Sequence, residues 1–205
     1  MKKIMFNDRY GLTQAVLEGR KTMTRRMMTM TLHKKNGDEM TPVVPDDMFI
    51  KDGVVCFCLG NLVHKVPKEN QPAYNVGDEL AVAQSYEAIG LTFISPPDTQ
   101  WGCTYEMPGY SNKMFVRADL MSNRIRITGI KVDRLQDISD EDCIKEGLLV
   151  GEQEPRMYGF RLPKGTVLSF LTPREAFAAL IDRISGRGTW QRNPWVYVYT
   201  FELIK

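Results

Sequence analysis

Apolar and polar residues alternate most regularly at the end of the chain, where residues 195–203 (Trp-Val-Tyr-Val-Tyr-Thr-Phe-Glu-Leu) combine aromatic and β-branched side chains and predict a closing strand. A second long strand is predicted over 124–135, with Ile125, Ile127 and Gly129 set against Arg124, Arg126 and Thr128, then Ile130 and Val132. Shorter strands are expected at 3–6, from Thr22 onward, and at 54–59, 77–83 and 114–116. Tyr10, Leu12, Ala15 and Val16 recur at helical spacing, with Gly19 as the stop. Ser139 before Asp140, Glu141 and Asp142 predicts an N-cap and an acidic first turn, opening a helix that runs to Gly147. Thr172-Pro173-Arg174-Glu175 joins a cap, a first-turn proline and a capping-box acid, and introduces the clearest helix, 176–184. Residues 36–50, 65–75, 96–109 and 149–171 are punctuated by Pro, Gly, Asn and Asp and are expected to be irregular excursions. Four to six strands, three short helices and no βαβ rhythm predict one α+β domain on a small mixed sheet or barrel.

Charge changes this picture by localising it. The 205 residues carry a net charge of only +2, but residues 1–35 hold nine Lys/Arg against Asp8 and Glu18, which leaves 18 bases against 23 acids in the remainder. Any nucleic-acid or anion contact is therefore expected near the N-terminus. Met1-Lys2-Lys3 opens like a secretory signal, but Asn7, Asp8 and Arg9 interrupt the apolar stretch that should follow. No run approaches the ~20 apolar residues of a membrane span. Four scattered cysteines do not make a disulfide scaffold in a chain this long, so a cytoplasmic protein with reduced thiols is expected. Cys56 and Cys58 share one strand face as small buried hydrophobes do. A zinc site would have to recruit Cys103, Cys143, His33 or His64, and no second close pair supports one, so no metal is expected.

The basic residues concentrate in Gly19-Arg20-Lys21-Thr22-Met23-Thr24-Arg25-Arg26. A lysine amine three residues from a threonine hydroxyl, in a cationic setting, is a base–nucleophile pair if the amine loses its proton. The same residues can instead grip phosphate. In an extended segment Thr22, Thr24 and Arg26 share one face and Met23 and Arg25 the other. The guanidinium forks of Arg25 and Arg26 suit a phosphate or a base edge; a solvated basic strand edge is the plainer alternative. Trp190, expected on a loop, can stack a base, whereas Trp195, Tyr197 and Tyr199 are expected in the core. Asn193 precedes Pro194 and either meets a ligand or shapes the turn. Met23, Met27, Met28 and Met30 are expected to pack the core.

Three stretches together resemble ASCH domains of the PUA-like superfamily, in particular ASCH proteins of phages and prophages. They are the Gly19–Arg26 octapeptide, the segment from Leu135 to Glu146-Gly147, and the closing Trp190-Gln-Arg-Asn193-Pro194-Trp195 run with the strand after it. Gly77-Asp78-Glu79-Leu80 is similar to the family's turn before a central strand. Val82-Ala83-Gln84-Ser85-Tyr86 departs from the Val-Arg-Glu-(Ser/Thr)-Trp pattern of many such phage proteins. The resemblance implies a PUA-like (ASCH) mixed β-barrel flanked by two or three helices, with insertions at about 36–76, 88–112 and 149–171. It also implies an RNA, nucleoside or nucleotide ligand in a cationic cleft and no cofactor. In amidohydrolase relatives of N4-acetylcytidine type, a lysine, a threonine and a glutamate act together, and they fall here on Lys21, Thr24 and Glu146. Arg20, Arg25, Arg26, Trp190 and Asn193 are the expected ligand contacts. An RNA-binding or ribonucleolytic module, or a phage protein-interaction domain, is the alternative.

Overall fold

The two best-alternating strands find each other: Arg124–Arg134 pairs antiparallel with Trp195–Ile204 along almost its whole length in the computed structural model, which describes residues 1–28, 32–36, 39–94 and 102–204. They are β4 and β5 of a five-stranded sheet. Its other members are β1 (Lys2–Ile4), β2 (Met23–Met27) and β3 (Glu79–Val82), in the spatial order β1-β3-β4-β5-β2. Ile125 and Ile127 are buried on the face they share with Tyr197, Tyr199 and Phe201, and Val196 and Val198 are buried on the other, so the first half of β5 is covered on both faces. The molecule is thus mixed α+β, but among the described residues the sheet is open and no barrel closes. Closure fails because β1 ends after three residues, where the Asn7 side chain caps the turn Asp8–Tyr10, so no ladder joins β1 to β2. The two edges still approach. Arg26 donates to the Met5 carbonyl across 2.6 Å, and the Phe6 and Phe201 rings lie 5.6 Å apart.

Four α-helices are formed among the described residues: α1 (Leu12–Leu17), α2 (Asp140–Lys145), α3 (Pro173–Ser185) and the single turn α4 (Thr189–Arg192), which carries Trp190 where a loop was expected. The predicted caps form. The Ser139 hydroxyl accepts from the Asp142 N–H and the Thr172 hydroxyl from the Glu175 N–H, satisfying first-turn donors that have no partner within the helix. Helix α3 buries Ala176, Phe177, Leu180 and Ile181 as one stripe.

Two expected excursions contain sheets instead. Leu32–Asn36 and Glu39–Val43 form a hairpin, and Asp47–Lys51, Val54–Leu59 and Leu62–Lys65 a three-stranded sheet. Leu149–Val150, Tyr158–Arg161 and Val167–Phe170 form another. The turn residues are real but sit between strands too short to impose a visible period. At Gly159 a Cβ would stand 2.3 Å from the Leu168 carbonyl oxygen, so the glycine marks a close strand approach and not a loop. The strand expected at 114–116 is a turn, Lys113–Phe115, because the Asn112 side chain captures the Met114 N–H and leaves Met114 and Phe115 exposed. Met30, Trp101 and the side chains of His33 and Cys103 lie outside the described residues. Among those described, no helix is long and apolar enough to cross a membrane.

Candidate functional site

Main-chain bonds hold the basic octapeptide before its side chains do anything. Gly19 takes a left-handed conformation (φ 75°) after α1, which turns the chain so that the Lys21 N–H donates to the Ala15 carbonyl. The Thr22 N–H then donates to the Lys145 carbonyl in the last turn of α2, and the Thr22 carbonyl accepts from Phe201 in β5. Two segments more than a hundred residues apart are thereby joined, and Lys21 points inward with 2% of its surface exposed. Its Nζ donates to Glu146 Oε2 and to the Glu146 carbonyl, each at 2.7 Å. Glu146, the C-cap of α2, is itself buried.

Gly147 makes this approach possible. Its φ is +100°, and an added Cβ would lie 3.1 Å from Ala15 Cβ and 3.2 Å from Lys21 Cβ. Gly147→Ala is therefore expected to cost ~1–3 kcal/mol from backbone strain alone, read as a lower urea midpoint. An unchanged midpoint would show that the loop relaxes freely.

Arg25 holds the other carboxylate oxygen. Its side chain is fully enclosed, and Nη1 lies 3.2 Å from Glu146 Oε1. Nη2 stands 3.5 Å from Asp142 Oδ2, an ion pair without hydrogen-bond geometry, and Nε has no hydrogen-bond partner. So Arg25, expected to face a ligand, braces Glu146 while also lining a pocket with it. Burial holds the Lys21 ammonium below its usual range; Arg26 and Arg25 push the same way and Glu146 opposes them. The folded protein then gives up this proton before the unfolded chain does, at ~10.4. Stability accordingly rises with pH from the lowered folded value up to ~10.4, and the gain is lost as pH falls through that folded value. Denaturation midpoints followed from about pH 8 to about pH 10.5 are expected to show this rise, and Lys21→Met to remove it. Equal slopes in the two proteins would assign the rise to another group.

Lys21, Thr24 and Glu146 line one pocket of about 190 Å³ with Arg25, Arg26 and Asn7; Phe6, Leu12, Phe177, Leu180 and Ile181 supply its apolar wall. Thr24 sits in β2 opposite Tyr199 and is buried, and its hydroxyl makes no hydrogen bond among the described residues. β2 is a strand, which sets Thr24 and Arg26 on one face and Met23 and Arg25 on the other, and both faces are covered, since Met23, Thr24 and Arg25 are all buried. Arg26 is half-buried at the pocket wall. Arg20 lies outside it, bonded to Glu18 and to the Gly147 carbonyl.

Trp190 and Asn193 do not line this pocket. Trp190 packs edge-on against Phe177 beneath the Arg174 guanidinium, and its main-chain N–H donates to the Asp182 carboxylate. Asn193 takes the left-handed conformation, and its side-chain oxygen accepts from the Gln136 N–H. Of the segment that departs from the phage pattern, Ala83 and Tyr86 are buried in a small second core with Val116 and Met121. Cys143 is buried and its thiol is pushed up to about 12 by desolvation, too high for a thiolate nucleophile at neutral pH. Among the described residues no three His, Cys, Asp or Glu side chains cluster as metal ligands. Sequence reasoning missed Asp142 and the α3 wall. The acidic first turn of α2 was visible, but nothing local tied it to Arg25.

Compared with protein-family models, curated proteins and solved structures, the chain matches none. What the pocket does is left to its own geometry.

Proposed function

We propose that this is a nucleic-acid-ligand protein of ASCH type whose inner pocket takes a modified base. More specifically, it acts as an amidohydrolase on an N4-acylated, cytidine-like substrate. The supporting observation is the convergence of Lys21, Thr24 and Glu146 on one small pocket, with the Thr24 hydroxyl uncommitted among the described residues. The volume of about 190 Å³ is below the ~300 Å³ of sites for drug-sized molecules and suits a base with its acyl group.

The Lys21–Glu146 pair shares one transferable proton. With that proton on Glu146, the free Lys21 amine takes the Thr24 hydroxyl proton as the oxygen attacks the acyl carbon. The C–N bond breaks and Glu146 protonates the departing amine. Water then attacks the acyl–Thr24 ester, and the Glu146 carboxylate takes the water proton. The ester C–O bond breaks and the Lys21 ammonium returns its proton to the Thr24 oxygen, so the carboxylic acid leaves with Lys21 neutral and Glu146 protonated as at the start. The low dielectric of the site reduces the gap between the charged pair and its neutral form. These steps draw on side chains alone.

A purely phosphate-gripping octapeptide fits less well, since Arg25 is enclosed and already paired. The direct test is acetate release from N4-acetylcytidine, free and within RNA. The wild type is expected to release acetate, and a folded wild type that releases none from either form overturns the hydrolase reading.

A further inference from the structure

A larger cleft of about 330 Å³ adjoins the inner pocket, and Arg26 and Met27 line both. Lys3, Asn70, Tyr74, Tyr197 and Tyr199 complete its polar and aromatic lining. The Tyr74 ring stands edge-on to Tyr199 at 5.4 Å, and the Tyr197 hydroxyl donates to the Asn70 carbonyl. Arg26 shares this lining with Tyr74 and Tyr199, and its charge opposes the rise that burial imposes on their hydroxyls.

The two cations here differ from the other cations of the Gly19–Arg26 octapeptide. Lys21, Arg25 and Arg20 each meet a carboxylate. Lys3 and Arg26 meet none among the described residues. Lys3 spends its ammonium on the carbonyls of Met114 and Val116, and Arg26 one N–H on the Met5 carbonyl. The remaining N–H groups of the Arg26 fork make no hydrogen bond among the described residues. Glu69, which is exposed, is the one acid among the described residues lining the cleft, against two cations. A partly buried guanidinium with unused donors, set over the Phe6 ring at 5.8 Å and lining one cleft with three phenols and a second cation, is complementary to a phosphate ester.

We infer that this cleft is a phosphate subsite. The ligand is then a phosphorylated nucleoside, its base in the inner pocket and its phosphate against Arg26 and Lys3. This rests on the reading of the inner pocket as a base site, and it adds that a nucleotide is preferred to a free nucleoside. The phosphate can be terminal, as in a mononucleotide, or a diester within a strand.

Binding of unacylated ligands tests the subsite without requiring hydrolysis. Cytidine, its 5′- and 3′-monophosphates and the dinucleotide cytidylyl-adenosine are titrated into wild type and Arg26→Gln by calorimetry, at low and high salt. At least one phosphorylated ligand is expected to bind wild type on the order of ten-fold more tightly than cytidine, and the advantage is expected to shrink with salt. Arg26→Gln is expected to bring the ratio to about one. Lys3→Met, which leaves the shared wall intact, is expected to reduce it part of the way. A monophosphate that wins places a terminal phosphate in the cleft, and a dinucleotide that wins over both places a diester there. Phosphorylated ligands that bind no better than cytidine overturn the subsite, even if N4-acetylcytidine is hydrolysed. Protein that is folded but neither hydrolyses nor binds any of these overturns both readings.

Discussion

Glu146→Ala is expected to lower the folding stability by about 3–5 kcal/mol, the largest loss foreseen for one substitution in this site. The carboxylate is the shared anion of two enclosed cations: Oε2 meets Lys21 at 2.7 Å and Oε1 meets Arg25 at 3.2 Å. Without it, Lys21 and Arg25 remain inside with only the more distant Asp142 to balance them, and an uncompensated charge in low dielectric is costly. The exposed Arg126–Glu79 pair provides the contrast. Its side chains are 46% and 42% exposed, so Glu79→Ala is expected to cost no more than ~1 kcal/mol. Urea unfolding of the two variants measures the difference. Adding Lys21→Met to Glu146→Ala is expected to recover part of the loss, because it removes one of the two stranded cations. If Glu146→Ala costs no more than Glu79→Ala, water or rearrangement compensates the pair, and the enclosed electrostatics described above are wrong.

Thr24→Ala is expected to lower turnover of an N4-acylated cytidine by about 10³-fold or more while leaving the fold in place. The hydroxyl makes no hydrogen bond among the described residues, so its removal strands no partner and the stability change should stay within about 1 kcal/mol. Ligand affinity should change little, because the apolar wall and the cations are untouched. Thr24→Ser keeps the attacking oxygen and is expected to retain measurable turnover. The pairing of lost turnover with intact binding separates a nucleophile from a wall residue. If Thr24→Ala still releases acetate at the wild-type rate, attack comes from water or another group, and Thr24 only shapes the pocket.

Much of the scaffold was legible from local pattern. The alternation over 124–135 and 195–203, the caps at Ser139 and Thr172, and the helix ending near Gly19 all correspond to elements in the structure. Each rests on interactions within a few residues. Apart from the strand expected at 54–59, the small sheets at 32–65 and 149–170 were hidden because strands of two to six residues, separated by true turns, look like loops. Their pairing is decided by partners and not by period. The barrel expected from resemblance also exceeded what the described chain forms, since the short β1 leaves the sheet open.

For the site, the sequence alone determined which residue types were present and that Lys21 and Thr24 lie three positions apart. It did not determine which of four neighbouring basic residues would be enclosed. Tertiary structure decided that Lys21 and Arg25 turn inward onto Glu146, that Arg26 is left half-open between two cavities, and that Trp190 and Asn193 hold the framework elsewhere. The reason is physical. Desolvation and ion-pair geometry depend on what packs over a side chain, and over Lys21 that is the end of a helix 125 residues further along the chain.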